Sequence, residues 1–211
     1  MFITFEGIEG SGKTTLMRGV ARALRAKGKD VIETREPGGT AVGDRIREIF
    51  LDPKMTIAPL AEALLLTASR HRLVEEVITP ALQAGSIVLC DRFTDSTLAY
   101  QGFGRGIEQS LLKQFNEAAA PALEPDLTFY VDVSLELSRM RVTKRSEEGR
   151  NSLDRLDREG DQFHERVREG YLELARANPQ RIAVLDGSLP EEALVKKALD
   201  SLRAHEQLIA D

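Results

Sequence analysis

The sequence of 211 residues has no tryptophan and only one cysteine, Cys90. A single cysteine excludes an intramolecular disulfide, which fits a reducing compartment. No apolar run approaches the roughly 20 residues that a membrane-spanning helix needs. The amino terminus, MFITFEGIEG, lacks the basic and long apolar regions of a signal peptide. These absences predict a cytoplasmic protein that does not bind or span a membrane.

An excess of positive charge is also absent. The chain has 29 lysines and arginines against 34 aspartates and glutamates, for a net charge of −5. Proteins that bind along a nucleic-acid polymer are usually basic, so we do not expect a polymer partner. Single nucleotides stay possible, because a few local cations suffice to bind them. The length favours one compact domain, residues 1–211.

Short apolar runs alternate along the chain with segments of helical periodicity. Strands are predicted within residues 1–6, 30–34, 86–90, 126–133 and 181–186. Helices are predicted at about 14–27, 41–51, 59–84, 95–102, 108–119, 135–142, 155–177 and 190–208. The helix over 59–84 is expected to be interrupted or bent near Pro80. This alternation predicts an α/β fold of three layers, with a five-stranded, mainly parallel sheet flanked by helices.

Polar segments follow the predicted strand ends, where ligands of such sheets bind. They are residues 7–14, 35–40, 91–92, 132–135 and 186–188. Because the carboxyl ends of parallel strands share one edge, these separate segments should converge on one rim.

The segment after the first strand, GIEGSGKTT, matches the phosphate-binding pattern G-x-x-x-x-G-K-[ST]. Its glycines let backbone N–H groups face phosphate oxygens, Lys13 reaches the β and γ phosphates, and Thr14 offers a hydroxyl to Mg²⁺. The pattern predicts a P-loop NTPase fold. The predicted ATP-binding loop is Gly7, Ile8, Glu9, Gly10, Ser11, Gly12, Lys13, Thr14 and Thr15. GTPases, ATPases and kinases share this loop, so the loop alone does not identify the reaction.

Arginine gathers beside this loop, in or near the segments TREPGGT, ASRHR and CDRFTDSTLAYQG. Several arginines beside a lysine indicate a second anion, since guanidinium binds phosphate bidentately. Arg92, directly after a strand, is the strongest candidate for that role. Arg45 and Arg72 are better explained as surface arginines paired with nearby glutamates. The arginines assigned to this side of the rim are Arg35, Arg47, Arg70, Arg72 and Arg92.

The segments FEGIEGSGKTT, TREPGGT, CDRFTDSTLAYQG, PDLTFYVDV and RLDREGDQFHERVREGY occur in this order over most of the chain. Together they resemble the bacterial thymidylate kinases, which are P-loop nucleoside monophosphate kinases. The resemblance implies in-line transfer of the γ-phosphoryl group of ATP to dTMP, giving dTDP, with Mg²⁺ as cofactor. It also implies a homodimer packed through the long helical stretches.

The same resemblance implies how dTMP binds. Arg92 would hold the acceptor phosphate with help from Arg47, and Glu9 would accept a hydrogen bond from the 3′-hydroxyl. Pro37 would line the sugar, and Tyr100 would occupy the place of a ribose 2′-hydroxyl. The implied dTMP-binding residues are Glu9, Glu36, Pro37, Arg47, Leu66, Arg70, Arg92, Thr97, Tyr100 and Gln101.

Three of these residues would recognise the base. Arg70 would donate a hydrogen bond to O4 of thymine, and Thr97 and Gln101 would bind its other polar edge. Leu66 stands where the family carries a stacking phenylalanine. A leucine there loses about 0.5–1.5 kcal/mol of aromatic stacking.

The phosphate loop has no basic residue between Gly7 and Lys13, so charge on the transferred group must be met from elsewhere. Residues 142–155, rich in arginine and polar, are predicted to form a short mobile lid. Arg145, Arg150 and Arg155 of this lid could reach the phosphates, and Arg141 could stack on adenine. The predicted catalytic residues are Lys13, Arg92, Arg145 and Arg150.

Two acidic residues at strand ends leave alternatives open. Asp91 is predicted to help Thr14 hold the metal, or else to pair with Arg92 or Lys13. Asp186 begins a segment that looks like the loop under adenine, but a plain turn fits equally. A different nucleotide acceptor and a nucleotide-dependent switch are the rival functions, although the guanine-reading pattern N-K-x-D is absent.

Overall fold

Five parallel strands form the centre of the molecule. A computed structural model describes residues 1–148 and 154–210, with the side chains of 206–210 left aside. The strands are β1 (Phe2–Glu6), β2 (Val31–Arg35), β3 (Ile87–Asp91), β4 (Leu127–Asp132) and β5 (Ile182–Asp186). Their order in the sheet is β2-β3-β1-β4-β5, and every neighbouring pair is parallel. The predicted five-stranded α/β fold is confirmed.

Helices connect the strands and cover both faces of the sheet. They are α1 (Lys13–Ala26), α2 (Ala41–Leu51), α3 (Pro59–Leu73), α4 (Thr79–Gln83), α5 (Thr94–Thr97), α6 (Gln109–Ala119), α7 (Leu135–Glu147), α8 (Asp161–Ala177) and α9 (Glu191–Ala210). Two π-helical segments, Val74–Ile78 and Leu98–Gly104, continue α3 and α5. Within the described ranges no helix is long and apolar enough to cross a bilayer.

Successive side chains of the strands pack into apolar clusters on the two faces of the sheet. Ile3 and Phe5 of β1 pack with Leu16 of α1 and Leu194 of α9 on one face. Phe2 lies with Leu73 of α3 on the other face. Successive strand side chains point to opposite faces, so one buried strand serves both layers. The result is the three-layer arrangement that the sequence predicts.

The predicted helix over 59–84 forms, but it passes through a π-helical segment just before Pro80. The backbone N–H of Thr79 donates to the carbonyl of Val74, five residues earlier. Proline has no N–H, and its ring clashes with the carbonyl four residues before it. The interruption or bend predicted near Pro80 is therefore a wider, π-helical turn just ahead of the proline.

The segment around the predicted lid differs from expectation at both ends. Helix α7 extends to Glu147, so residues 143–147 are helical instead of irregular. Helix α8 begins only at Asp161, because the side chain of Asp154 accepts the N–H groups of Leu156 and Asp157 and closes a turn. Such aspartate turns compete with helix formation. Residue 150 lies outside the described residues.

Candidate active site

The phosphate loop bridges β1 and α1 at the carboxyl edge of the sheet. Gly7 and Gly10 have φ angles of 147° and 70°. A Cβ atom on Gly7 would lie 2.7 Å from the carbonyl oxygen of Val131, and one on Gly10 would lie 2.7 Å from that of Ser138. Only glycine fits these positions, and α1 begins immediately afterwards at Lys13. Loop amides and a helix amino terminus thus form an anion-binding site.

Two cavities border this loop. The Arg92 cavity is about 230 Å³ and is lined by Glu9, Gly10, Lys13, Thr14, Arg35, Glu36, Pro37, Arg47, Phe50, Leu51, Leu66, Asp91, Arg92, Ser96, Tyr100, Gln101, Arg145, Asp154 and Leu156. The Arg141 cavity is about 470 Å³ and is lined by Gly10, Ser11, Gly12, Lys13, Thr14, Thr15, Leu16, Arg141, Lys144, Arg145, Glu148, Gly187, Leu189, Glu191 and Leu194. Each could hold one nucleotide-sized ligand with its phosphates at the loop.

Four residues line both cavities: Gly10, Lys13, Thr14 and Arg145. Lys13 is partly buried. Desolvation together with the nearby charge of Arg92 lowers its pKa, against the opposing effects of Asp91 and Glu9. Arg145, on α7, is partly exposed and lies 3.7 Å from a carboxylate oxygen of Asp157. Positive charge is therefore placed where anions from the two cavities would meet.

Arg92 has a left-handed backbone, with φ of 73°. Such a conformation costs a non-glycine residue on the order of 1–3 kcal/mol, and it commonly marks a functional position. The N–H of Arg92 donates to the carbonyl of Phe5, which ties this residue to β1. Its guanidinium donates to Glu9 at 2.7 Å, to Tyr100 at 3.0 Å and to Tyr171 at 3.1 Å. The side chain is thus aimed along the cavity by groups from three different elements.

Glu9 lines the Arg92 cavity and not the Arg141 cavity. Its carboxylate accepts hydrogen bonds from Arg92 and from the hydroxyl of Tyr100. Burial acts to raise the pKa of Glu9, but the charges of Arg92 and Lys13 prevail and lower it. The carboxylate of Glu9, the acidic residue of the phosphate loop, therefore belongs to the Arg92 cavity.

Glu6 is a buried carboxylate behind Arg92 that sequence reasoning missed. It accepts the backbone N–H of Phe93 at 2.8 Å and the hydroxyl of Tyr171 at 2.7 Å. Burial raises its pKa to about 8, although the charge of Arg92 opposes the rise. A carboxylate inside an otherwise apolar buried strand is a signal that could have revealed it. No local pattern marks Tyr171, which comes from α8.

The Arg92 cavity contains most of the residues that the resemblance assigns to dTMP. Arg47 donates to the carbonyl of Pro37 at 3.1 Å, and both line the cavity. Leu66, Tyr100 and Gln101 line it as well.

Arg70 and Thr97 lie behind the cavity wall. Arg70 is 1% exposed, and its Nε and Nη2 atoms donate to Glu36, which does line the cavity. Its Nη2 also donates to Thr97 and its Nη1 to Asn116. In this arrangement Arg70 holds Glu36 in place, so its direct contact with a base stays a prediction.

Thr14 and Asp91 meet beside the phosphate loop. The hydroxyl of Thr14 donates to Asp91 at 2.5 Å, and both residues line the Arg92 cavity. Two oxygen ligands of this kind suit a hard divalent cation. No cluster of three or more histidine, cysteine, aspartate or glutamate side chains that could hold a metal occurs in residues 1–148 and 154–210. A cation here would take its remaining ligands from water and from a bound phosphate.

The predicted donor-side and lid residues differ in where they lie. Arg141 lines the Arg141 cavity and donates to the carbonyls of Gly10 and Ser11 at 3.2 and 3.3 Å. The exposed Asp186 binds Ser188 through its side chain and is not among the residues lining that cavity, whereas Gly187 is. Arg150 falls outside the described residues.

Arg155 is not available to phosphates, contrary to expectation. Its guanidinium is bound to the buried carboxylate of Glu62 and to the carbonyl of Phe50. This ion pair anchors the segment that follows residue 153 against α2 and α3. The expected surface pairs of Arg45 with Glu48 and of Arg72 with Glu75 and Glu76 are present.

Comparisons with known proteins agree with this geometry. A family model described as thymidylate kinase matches residues 5–198. The thymidylate kinase of Pelotomaculum thermopropionicum is 47% identical over 209 residues, which cover 99% of this chain and 94% of that relative. The thymidylate kinase of Deinococcus radiodurans is 49% identical over 194 residues, or 92% of each chain.

A solved structure is also similar. The crystal structure of thymidylate kinase from Ehrlichia chaffeensis has a TM-score of 0.76 and 34% identity, covering 96% of this chain and 98% of that one. The residues matched by the family model include the phosphate loop and the lining of both cavities. The chain therefore belongs to the thymidylate kinase family.

Proposed function

We propose that this protein transfers the γ-phosphoryl group of ATP to dTMP, giving ADP and dTDP. The observation that carries the proposal is the pair of cavities that share Gly10, Lys13, Thr14 and Arg145. An enzyme that transfers a phosphoryl group directly from one bound nucleotide to another needs such a shared boundary. Membership of the thymidylate kinase family supports ATP and dTMP as the two nucleotides.

ATP would occupy the Arg141 cavity. Residues Gly7–Thr15 would bind its phosphates through backbone N–H groups and Lys13, with the amino terminus of α1 beneath them. Arg141, held by loop carbonyls, lies on the wall of that cavity beside the segment that contains Gly187. The backbone of this segment, in place of the Asp186 side chain, would face the adenine.

dTMP would occupy the Arg92 cavity. Arg92 and Arg47 would bind the acceptor phosphate, and Glu9 would accept a hydrogen bond from the sugar. Tyr100 is fixed against Glu9 and Arg92, where it would limit the space around the sugar. Leu66 would cover one face of the base.

Mg²⁺ is the cofactor that the chemistry implies, and Thr14 and Asp91 are the residues that would help to hold it. Bound there, it would offset negative charge between the two sets of phosphates. The protein's own contribution is alignment. Lys13 and Arg145 lie at the shared boundary and would stabilise the in-line transfer, with Arg150 as a further candidate.

Three further properties are proposed. The sequence favours location in the cytoplasm and organisation as one domain with a lid. A homodimer is favoured by apolar residues exposed on α2 and α3, among them Ile49 and Leu64. A nucleic-acid polymer is not proposed as a partner, given the net charge of −5.

An acceptor panel tests the proposed reaction. Purified protein with Mg-ATP is incubated with dTMP, dUMP, UMP, dGMP or dAMP, and ADP release is measured. We expect dTMP to be the best acceptor and dUMP to be poorer. No more ADP with dTMP than without any acceptor would refute the proposal. Tight nucleotide binding without transfer to any acceptor would instead identify a switch.

A further inference from the structure

Gln101 carries a buried polar atom without a partner. The residue is 1% exposed and lines the Arg92 cavity. Its Nε2 atom donates to Glu62 at 3.2 Å, while its Oε1 atom has no hydrogen-bond partner. An unpaired buried acceptor destabilises the protein, so a ligand that supplies a donor would recover the lost free energy.

Glu62 determines which end of this amide is left unpaired. Its side chain is fully buried on α3, and it is bound by the guanidinium groups of Arg105 and Arg155. Both carboxylate oxygens of Glu62 accept hydrogen bonds, from these guanidinium groups and from the Gln101 amide. The amide nitrogen of Gln101 must therefore face Glu62, because the opposite rotamer would place the amide oxygen against a carboxylate.

We propose that Glu62 is a positioning residue that fixes the Gln101 amide with its oxygen available to the acceptor base, and thereby selects bases with an N–H donor at ring position 3. This inference rests on the proposed function. Thymine and uracil carry N3–H, whereas N3 of cytosine is an acceptor and would leave Oε1 unpaired. Glu62 touches neither substrate, so it acts through the orientation of Gln101.

The carboxylate of Glu62 also links Gln101 to the start of the segment after residue 153. Arg155 donates to Glu62 and also to the carbonyl of Phe50, which lines the Arg92 cavity. Arg105 adds a second anchor, since it donates to Glu62 at 3.0 Å and to Glu159 at 2.7 Å. Gln101 is thus oriented by a rigid ionic cluster and not by a mobile surface side chain.

The test compares two acceptors that differ at the base edge, dTMP and 5-methyl-dCMP. Both keep the sugar, the phosphate and the 5-methyl group. In Glu62→Gln the new amide can donate or accept a hydrogen bond, so the side-chain amide of Gln101 is free to rotate by 180°. We expect the ratio of kcat/KM for dTMP to that for 5-methyl-dCMP to fall by about tenfold, the effect of one lost hydrogen bond. An unchanged ratio in a folded variant would overturn the inference.

Glu159→Gln is the matched control. It removes the other carboxylate that binds Arg105 but does not contact Gln101. If Glu62 serves only to stabilise the cluster, both variants should lower the melting temperature and neither should change the acceptor ratio. A change of ratio in Glu62→Gln alone supports orientation of the amide.

The exchanged pair, Glu62→Gln with Gln101→Glu, covers the case in which Glu62→Gln does not fold. It keeps one carboxylate and one amide beside Arg105 and Arg155, and the acceptor-only group now borders the base. We expect it to retain a preference for dTMP, and loss of that preference would refute the inference. Turnover of dTMP by the wild-type protein tests the proposed function separately. A wild-type protein that phosphorylates dTMP, together with an acceptor ratio that does not depend on Glu62, would support the function and overturn the inference.

Discussion

Arg92 combines a strained backbone conformation with a side chain that is held in place by hydrogen bonds. Its left-handed backbone is held by β1, and its guanidinium by Glu9, Tyr100 and Tyr171. The sequence could indicate Arg92, because it directly follows a buried strand. It could not indicate Tyr171, whose contribution depends on how α8 packs across the sheet.

Replacing Arg92 by alanine should abolish most transfer to dTMP. Alanine retains the Cβ atom, so the backbone strain is unchanged while the phosphate ligand is lost. We expect kcat/KM for dTMP to fall about 100-fold, as for loss of charge-assisted hydrogen bonds. Steady-state kinetics measures this, with circular dichroism to check the fold and Arg45→Ala as the surface control. Near-normal turnover would remove Arg92 from its proposed role.

Glu6 should make stability depend on pH. Its pKa is about 8 in the folded protein against an ordinary value of 4.5. The folded state therefore holds a proton that the unfolded state has lost, and stability falls as the pH rises from about 4.5 to about 8. Glutamine at this position stays neutral and avoids that loss.

Melting temperatures of wild type and Glu6→Gln at pH 5, 7 and 9 provide the measurement. Relative to wild type, the variant should become progressively more stable as the pH rises. Taking the difference between the two proteins cancels the titration of other buried carboxylates such as Glu36. A difference that stays constant over this range would show that Glu6 is ionised throughout.

At the scale of elements, periodicity and composition predict the strands to within about one residue, because each is a short buried apolar run with a polar end. The phosphate loop is equally clear, since its glycines are required locally. The π-helical segments and the late start of α8 were not predicted. They depend on Pro80, on the side chain of Asp154 and on packing between distant elements, which periodicity does not contain.

Ion pairing explains why some arginines differ from expectation. Arg155 and Arg145 look equivalent in a polar, arginine-rich segment. Folding brings Arg155 to the buried Glu62, while Arg145 stays at the boundary of the two cavities. Glu62 lies more than 90 residues before Arg155 in the chain, so only the tertiary structure brings the two side chains together.

Helix α7 offers a matched pair of variants for the transfer step. Arg145 lines both cavities, whereas its neighbour Lys144 lines only the Arg141 cavity. Arg145→Ala should lower kcat by about 10- to 100-fold with little change in the KM for ATP, because its charge acts on the group in transfer. Lys144→Ala should mainly raise the KM for ATP.

Steady-state kinetics with saturating dTMP separates these two effects. Equal kcat values for wild type and Arg145→Ala would exclude Arg145 from the transfer step and leave Arg150, of the same predicted lid, as the candidate to test next. A large loss of kcat in Lys144→Ala would show that the two cavities are not divided as proposed.

At the scale of the whole molecule, the Arg92 cavity is built from elements that also carry exposed apolar residues. Helix α2 supplies Arg47 and Phe50, and α3 supplies Leu66. Among the described residues, seven large apolar side chains are exposed, and five of them lie within residues 42–64: Val42, Ile49, Met55, Leu60 and Leu64. We call these five residues the α2–α3 patch.

The α2–α3 patch predicts an association between two copies of the chain. Leu60 and Leu64 are one helical turn apart and share a face of α3, and Val42 and Ile49 are two turns apart on α2. Apolar side chains gathered in this way on paired helices are typical of a protein–protein interface. Self-association through the patch would also support the helices that form one wall of the Arg92 cavity.

Charges placed in the α2–α3 patch should separate the copies. In Leu60→Glu with Leu64→Glu, burial of two carboxylates opposite their own copies would be strongly unfavourable. Sedimentation equilibrium should then change from twice the chain mass of 23.4 kDa to a single chain mass. Met140→Glu is the control, because Met140 is exposed on α7 and lies outside the patch. A wild-type protein that sediments as one chain, or a double variant that stays paired, would show that this patch does not join two copies.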